Sequence, residues 1–247
     1  MGEVRVKFLG SGDAFGHGGR LQACILLEAG GRRVLLDCGA SAMISLRRFG
    51  VEPNRISGVI LSHLHGDHFG GLPYFILDAQ LHSKRNEPLW VAGPAGTSAR
   101  LEQAMEVNFP GSSQVRRRFA VQVKELAPGA PWQRDGFNVA CVEGLHPSGA
   151  PALALRVEAR GKAVAYTGDT QWVDGLTPLL SRADLLIAEA YFHQKPIKFH
   201  LSYAELAARL AELAPGRTVL THMSQDMLDH SHEVKMEVAE DGLELVI

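Results

Sequence analysis

The sequence predicts an α/β protein built as a four-layer αββα sandwich, two sheets packed face to face with helices over both outer surfaces. Three observations lead there. Apolar residues recur with a period of two over many short segments. In each half of the chain the strand-like segments come first and the helix-like ones later. No low-complexity stretch, fixed repeat or long charge run divides the 247 residues, so one unit over 1–247 is expected.

The first third supplies strands over 4–9, 21–28 and 33–37, separated by glycine-rich connections at 10–19 and 30–31. A helix is expected over 40–49, stopped by Gly50, and then a short buried strand over 57–62, at whose end the histidines begin. An amphipathic helix over 72–84, a strand over 88–92 and a helix over 97–107 follow. Strands over 115–125 and 136–145 open the second half. That half continues with strands over 152–158 and 163–166 about a turn at Arg160-Gly161, a strand over 185–188, a helix over 203–213 capped by Ser202, and a strand over 218–221.

Composition narrows the class further. At 46% hydrophobic and 21% charged, the chain can bury a real core, which excludes collagen-like, disordered and coiled-coil readings. Its apolar runs fall short of the ~18 residues of a bilayer span, and the first residues show no basic-then-apolar leader, so neither a membrane anchor nor a secretion signal is expected. A net charge of −2 argues against wholesale electrostatic binding to nucleic acid. Cys24, Cys38 and Cys141, odd in number and widely spaced, cannot form a disulfide framework and fit a reducing cytoplasm. The count out of line is histidine, at 11.

Ser62-His63-Leu64-His65-Gly66-Asp67-His68 places four metal-competent side chains within six residues, directly after a buried strand. His63 and His65, two apart, share one face of extended backbone and can reach one ion, whereas Asp67 and His68, past the bend at Gly66, can serve a second. Such a density of imidazole and carboxylate is costly to hold unless an ion neutralises it. Further candidates close later apolar runs: His146, Asp169 and His222. Each alone is an ordinary strand-end residue; the ordered set with the cluster is what points to a dinuclear centre.

This ordered set resembles the metallo-β-lactamase superfamily, through HxHxDH at 63–68 and the later His146, Asp169 and His222. The resemblance runs from about Gly10 to His222 and implies metals at one edge between the two sheets. It implies that His63, His65 and His146 hold one ion, that Asp67, His68 and His222 hold the other, and that Asp169 bridges them. Zinc is favoured for this donor set, with manganese or iron as alternatives. Within the superfamily, Leu35-Leu36-Asp37-Cys38-Gly39, the loop Gly10 to Gly16, Glu189 in Ala188-Glu189-Ala190-Tyr191 and His200 in His200-Leu201-Ser202 resemble the ribonuclease Z and cyclic phosphodiesterase branch. The catalytic candidates are therefore Asp67, His200 and Glu189, with His200 as proton donor to the leaving group. Only 22 residues separate His146 from Asp169, where short ribonuclease Z enzymes insert a tRNA-gripping arm. Smaller phosphodiesters or short nucleic acids are the expected substrates, and relatives of this kind often form homodimers.

Charge counting points the same way. Two divalent ions, offset by Asp67, Asp169 and a bridging hydroxide, leave a single net positive charge, which suits a phosphodiester monoanion. The expected chemistry is in-line attack of that hydroxide on phosphorus. One competing reading is hydrolysis of thioesters, lactones or β-lactams with the same centre, which does not need His200 and Glu189. Another is a non-catalytic metal-binding module, against which stands the completeness of the ligand set. His17 and Arg116 to Arg118 are expected to lie outside the site, Ser148 in the turn Pro147-Ser148-Gly149 is left unassigned, and Trp172, close after Asp169, is the tryptophan with a view of it.

Overall fold

The computed structural model describes residues 2–247. Strands β1 (Val4–Gly10), β2 (Cys24–Ala29), β3 (Arg32–Leu36), β4 (Gly58–Ile60), β5 (Leu89–Gly93) and β6 (Val121–Glu125) form the first sheet, completed at its edge by the last strand, β14 (Glu244–Val246). The second sheet contains β7 (Trp132–Arg134), β8 (Phe137–Glu143), β9 (Leu153–Ala159), β10 (Lys162–Tyr166), β11 (Leu185–Glu189), β12 (Thr218–Thr221) and β13 (Glu237–Val238). Each sheet has seven strands and the same plan. An antiparallel meander, β1 to β3 in one and β7 to β10 in the other, runs into parallel strands joined through crossovers.

Period-two alternation explains the layering. In β1, Val4, Val6 and Phe8 point into a core between the sheets and meet Val139, Leu155, Val157 and Ile187 from the opposing one. The alternate residues Leu26 and Leu35 point the other way, into a second core under α1 (Ala42–Arg48), α3 (Leu72–Leu81) and α4 (Thr97–Asn108). A third core lies between the second sheet and α5 (Leu176–Leu180), α6 (Tyr203–Leu213) and α7 (Gln225–Asp229). Three apolar interfaces make four layers, the αββα sandwich expected from sequence. Ser202 caps α6, its Oγ accepting from the backbone N–H of Glu205 at 3.2 Å.

Several boundaries differ from expectation. The strand expected over 115–125 begins only at Val121, where pairing with Leu89 starts; before it, Arg117 donates to the Ser112 carbonyl and holds the preceding residues in a separate loop. The second strand begins at Cys24, not at 21. Strand β7, paired with β8 through a turn at Asp135-Gly136 in which both residues have positive φ, was not expected, nor were α5, α7, β13 and β14. These are two- to five-residue elements, too short to show a period. Among the described residues no helix is long and apolar enough to cross a membrane.

Candidate metal centre

The parallel strands of both sheets end on the same side of the sandwich, and the site is built on those ends. After β4 the chain stays extended through His63 and His65. It then turns into a four-residue helix, α2 (Gly66–Phe69), which swings Asp67 and His68 to a new direction. Gly39 lets this happen: a Cβ there would stand 2.2 Å from the Asp67 carbonyl oxygen, so only glycine allows the two backbones to touch. From the second sheet come His146 after β8, Asp169 after β10, Glu189 at the end of β11 and His222 directly after β12. The sheets are tied beside the first histidine, where the Leu153 N–H donates to the Ser62 carbonyl at 2.8 Å.

All seven sequence candidates for metal binding converge. One group of donor atoms comes from His63, His65 and His146, a second from Asp67, His68, Asp169 and His222, each within 4.8 Å. In the second group, His68 Nε2 lies 3.4 Å from an oxygen of Asp67 and 3.4 Å from one of Asp169, and His222 Nε2 lies 3.2 Å from each of the same two carboxylates. Donors ~2.0–2.1 Å from one zinc ion stand roughly 3.3 Å apart in a tetrahedron, so the spacing matches a single cation. In the first group, His65 Nδ1 and His146 Nε2 are 2.9 Å apart. Asp169 belongs to the second group and reaches towards the first, its Oδ2 lying 3.9 Å from His63 Nε2.

Unpaired atoms show where cations fit. His63 Nε2, His68 Nε2 and Asp169 Oδ1 are buried without a hydrogen-bond partner; His222 Nδ1, also without one, faces away from them, 3.8 Å from Glu189 Oε2. For three of the histidines the remote nitrogen is engaged: His63 Nδ1 lies 3.0 Å from Ser62 Oγ, His68 Nδ1 lies 2.7 Å from Asp37, and His146 Nδ1 lies 2.9 Å from the Phe199 carbonyl oxygen. This is the arrangement of imidazole ligands, one nitrogen oriented by the protein and the other turned to the neighbouring donors, without a partner in His63 and His68 and 2.9 Å from His65 Nδ1 in His146. Buried orphans of this number are costly unless a cation satisfies them.

Electrostatics separate the two groups. Burial, reinforced by the neighbouring His68, holds the His63 imidazolium well below its ordinary value, and burial also lowers His146, so both rings stand neutral with lone pairs available. In the second group burial is outweighed by charge. Asp169, Asp37 and Asp67 raise His68 well above its usual value, Asp169 and Asp67 raise His222 to about 9, and both Asp67 and Asp169 are held below the carboxylate range. The two carboxylates thus favour positive charge at this group of donors.

His200 lies at the edge of this centre. Its Nδ1 is 2.8 Å from Glu189 Oε2, and the other oxygen of Glu189 accepts backbone N–H groups from Thr170 at 2.5 Å and Leu201 at 3.2 Å. With N–H donors on both oxygens, Glu189 is bound as a carboxylate. Burial alone would depress His200, but the hydrogen bond and charge of Glu189 more than offset it and the ring is raised. Burial and the charge of Asp169 push Glu189 up, and its bond to His200 pulls it back; the protonated ring over the carboxylate is the form this geometry favours. A cavity of about 210 Å³ is lined by Ala14, Phe15, His65, Asp67, His146, Asp169, Tyr191, His200 and His222.

The structure adds residues to which sequence gave no role. Asp37, fully buried, accepts from the Ser62 N–H at 2.7 Å, Ser62 Oγ at 2.8 Å, His68 Nδ1 at 2.7 Å and the Tyr166 hydroxyl at 2.9 Å. A carboxylate directly after the buried apolar run Val34-Leu35-Leu36 is the signal that could have found it, because such a group must have partners. Tyr191 stacks on His200 with ring centres 4.9 Å apart. Asp37, Phe199 and His222 all have φ between +54° and +70°, a left-handed backbone that non-glycine residues hold only under tertiary constraint.

Other candidates are placed elsewhere. Trp172 does not line the cavity; it packs in the core beneath α6, under Arg209, whose guanidinium is 4.2 Å from the ring centre. His17 pairs with Asp13 at 2.6 Å, Ser148 Oγ donates to the Ala150 carbonyl, and Arg117 serves its own loop.

Comparison with known proteins places this geometry. Over 239 residues the chain is 28% identical to a ribonuclease Z of Mycolicibacterium paratuberculosis, covering 89% of this chain and 85% of that one. The structure is similar to that of human tRNase Z, short form, at a TM-score of 0.80 with 26% identity and 98% of each chain covered. It is similar in fold to YhfI, a metallo-β-lactamase fold protein of Bacillus subtilis, at a TM-score of 0.81 with 23% identity over the whole of both chains. The family model described as Anti-Pycsar protein Apyc1 matches residues 4–243. On that match, which takes in every strand but β14 and every candidate ligand, the chain belongs to the Anti-Pycsar Apyc1 family, built on the metallo-β-lactamase fold.

Proposed function

We propose that this metal-dependent hydrolase cleaves small phosphodiesters or short nucleic-acid chains. In this reading His63, His65 and His146 hold one divalent ion and Asp67, His68 and His222 a second, with Asp169 between them. Zinc suits the imidazole-rich donors best, ahead of manganese or iron. Bound there, the ions would supply Lewis acidity towards a phosphoryl oxygen and bring the ionisation of water near neutrality.

The observation that carries the phosphodiester reading is the His200–Glu189 pair at the cavity. His200 Nδ1 is committed to Glu189, which leaves Nε2 as the ring's free donor, and the buried carboxylate keeps that donor charged. Cleavage of a phosphodiester expels an alkoxide that must take up a proton, and a cationic imidazole at the cavity wall is suited to give it. The charge left on Glu189 is already balanced by the two backbone N–H groups that it accepts. The relatives named ribonuclease Z and tRNase Z support phosphorus chemistry.

Substrates smaller than tRNA are supported by the interval between His146 and Asp169. It is taken up by a short loop and the β9–β10 hairpin within the second sheet, which leaves no residues there for an arm. A reducing cytoplasm fits the three cysteines, all free and buried. The test is metal analysis together with a parallel assay on bis(p-nitrophenyl) phosphate, a thioester, a lactone and nitrocefin. Preference for the phosphodiester is expected, and preference for nitrocefin would overturn the reading.

A further inference from the structure

His222 lacks a support that His63, His68 and His146 have. Each of those three turns its outer ring nitrogen to a hydroxyl, a carboxylate or a carbonyl, whereas His222 Nδ1 has no hydrogen-bond partner. The place of its ring is therefore set by its backbone and by the rings of His68 and His200 beside it, with centres 5.1 and 5.8 Å away. That backbone has φ +54°, which a residue with a side chain keeps only where its surroundings impose it. Its N–H donates to the Ser11 carbonyl at 3.1 Å, and the same oxygen accepts from Thr221 Oγ1 at 3.2 Å.

Ser11 is in turn held by Asp241. Its N–H and its hydroxyl both donate to Asp241 Oδ1, each at 2.9 Å, and Asp241 Oδ2 accepts the Leu21 N–H at 2.8 Å. Ser11 and Leu21 flank the glycine-rich loop whose Ala14 and Phe15 line the cavity, so one carboxylate closes the base of that loop and, through Ser11, fixes the peptide of His222. Asp241 lies between β13 and β14, where the chain passes from the second sheet to the first. On one side of it the Ala239 N–H donates to the Leu220 carbonyl in β12 at 2.8 Å, and on the other the Gly242 N–H donates to the Phe8 carbonyl in β1 at 2.7 Å. Anchored to both sheets, it can hold a loop of one against a candidate ligand of the other. Three donors on two oxygens suit a carboxylate alone, because an asparagine would turn an NH2 on one of them.

We infer that Asp241 is a positioning residue: acting through the Ser11 carbonyl, it sets the place of His222 and so the affinity of the donors that His222 shares with Asp67 and His68. This rests on His222 as a metal ligand in the proposed function, and the experiment separates the two. Wild type, Asp241→Asn, Asp241→Ala and a control, Asp184→Ala, are loaded with zinc and dialysed against graded chelator, and the bound metal is counted. Asp184 does comparable work at the opposite end of the second sheet, accepting from the Ala163 N–H at 2.9 Å and from Lys162 at 2.8 Å. Asp241→Ala should weaken one equivalent about 10- to 100-fold and leave the other within about twofold, while Asp184→Ala should match wild type. Asp241→Asn, which keeps the shape and one acceptor, should fall between them and carries the test if the alanine variant does not fold.

Deuterium exchange reads the same contact without metal or turnover. The His222 amide should exchange at least about tenfold faster in Asp241→Ala than in wild type, and at the wild-type rate in Asp184→Ala. Wild-type zinc affinity at both equivalents in the Asp241 variants would overturn the role, as would an equal loss in Asp184→Ala. If wild type binds no zinc, the proposed centre falls, while an accelerated His222 amide still shows Asp241 setting His222; an unaccelerated one overturns both.

Discussion

The two donor groups sit side by side and are built on opposite principles. His63, His65 and His146 are three imidazoles without a carboxylate among them, the more accessible group, oriented by a hydroxyl and a backbone carbonyl. Asp67, His68, Asp169 and His222 are all buried and include two carboxylates, and His68 is held by the further buried charge of Asp37. Neutral ligands leave a cation its full charge with which to act on a substrate; anionic ligands hold it more strongly and blunt it. Were each group to hold an ion as proposed, the firmer grip would fall to the carboxylate side and the sharper electrophile to the imidazole side.

The strongest way to break this comparison is to remove Asp169, which belongs to one group and reaches towards the other. Asp169→Ala should lose most bound metal and at least about 100-fold in turnover, whereas His65→Ala should lose one equivalent and keep the second. Equal losses in the two variants, read by elemental analysis after dialysis, would mean that the groups do not act separately. Next is Asp37→Ala, which strands His68 and the Tyr166 hydroxyl in the interior. About 3–5 kcal/mol of stability should disappear in urea unfolding, with the carboxylate-side ion lost before the other; a cost under about 1 kcal/mol would show that the brace is dispensable.

His200→Ala tests the boundary between holding metal and using it. Metal content should stay at the wild-type value while turnover falls about 10²- to 10⁴-fold, and a normal rate would remove the general-acid role. The smallest effect is expected at Phe199, whose carbonyl orients His146 from a backbone φ of +70°. Phe199→Val, which resists that conformation, should cost about 1–3 kcal/mol and weaken the imidazole-side ion, whereas Phe199→Gly should not. Identical metal affinities in the two variants would sever the carbonyl from the site.

How much of this was legible in the sequence follows from how local each signal is. Strands such as β1 and β8 announce themselves by alternation, and the cluster at 63–68 by density, because the chemistry lies within a few residues. His146, Asp169 and His222 could be picked out because each closes an apolar run. The brace at Asp37 joins residues 25 to 129 positions apart, so nothing near it in sequence reveals its partners. The same holds for the Phe199 carbonyl, 53 positions from His146. Trp172 was misplaced because proximity along the chain to Asp169 does not fix which face of the sheet a side chain takes, and packing against Arg209 decided it. The helix α2 is a single turn, below the length at which a period can be read.

The bond from the Leu153 amide to the Ser62 carbonyl has a dynamic corollary. It crosses from one sheet to the other next to His63, and at the same place a Cβ on Gly168 would lie 2.8 Å from the Ser62 side chain. Breathing of one sheet against the other must open that seam, and opening it displaces donors on both sides together. In deuterium exchange the Leu153 amide should therefore rank among the slowest, and whatever accelerates it should loosen bound cations in proportion.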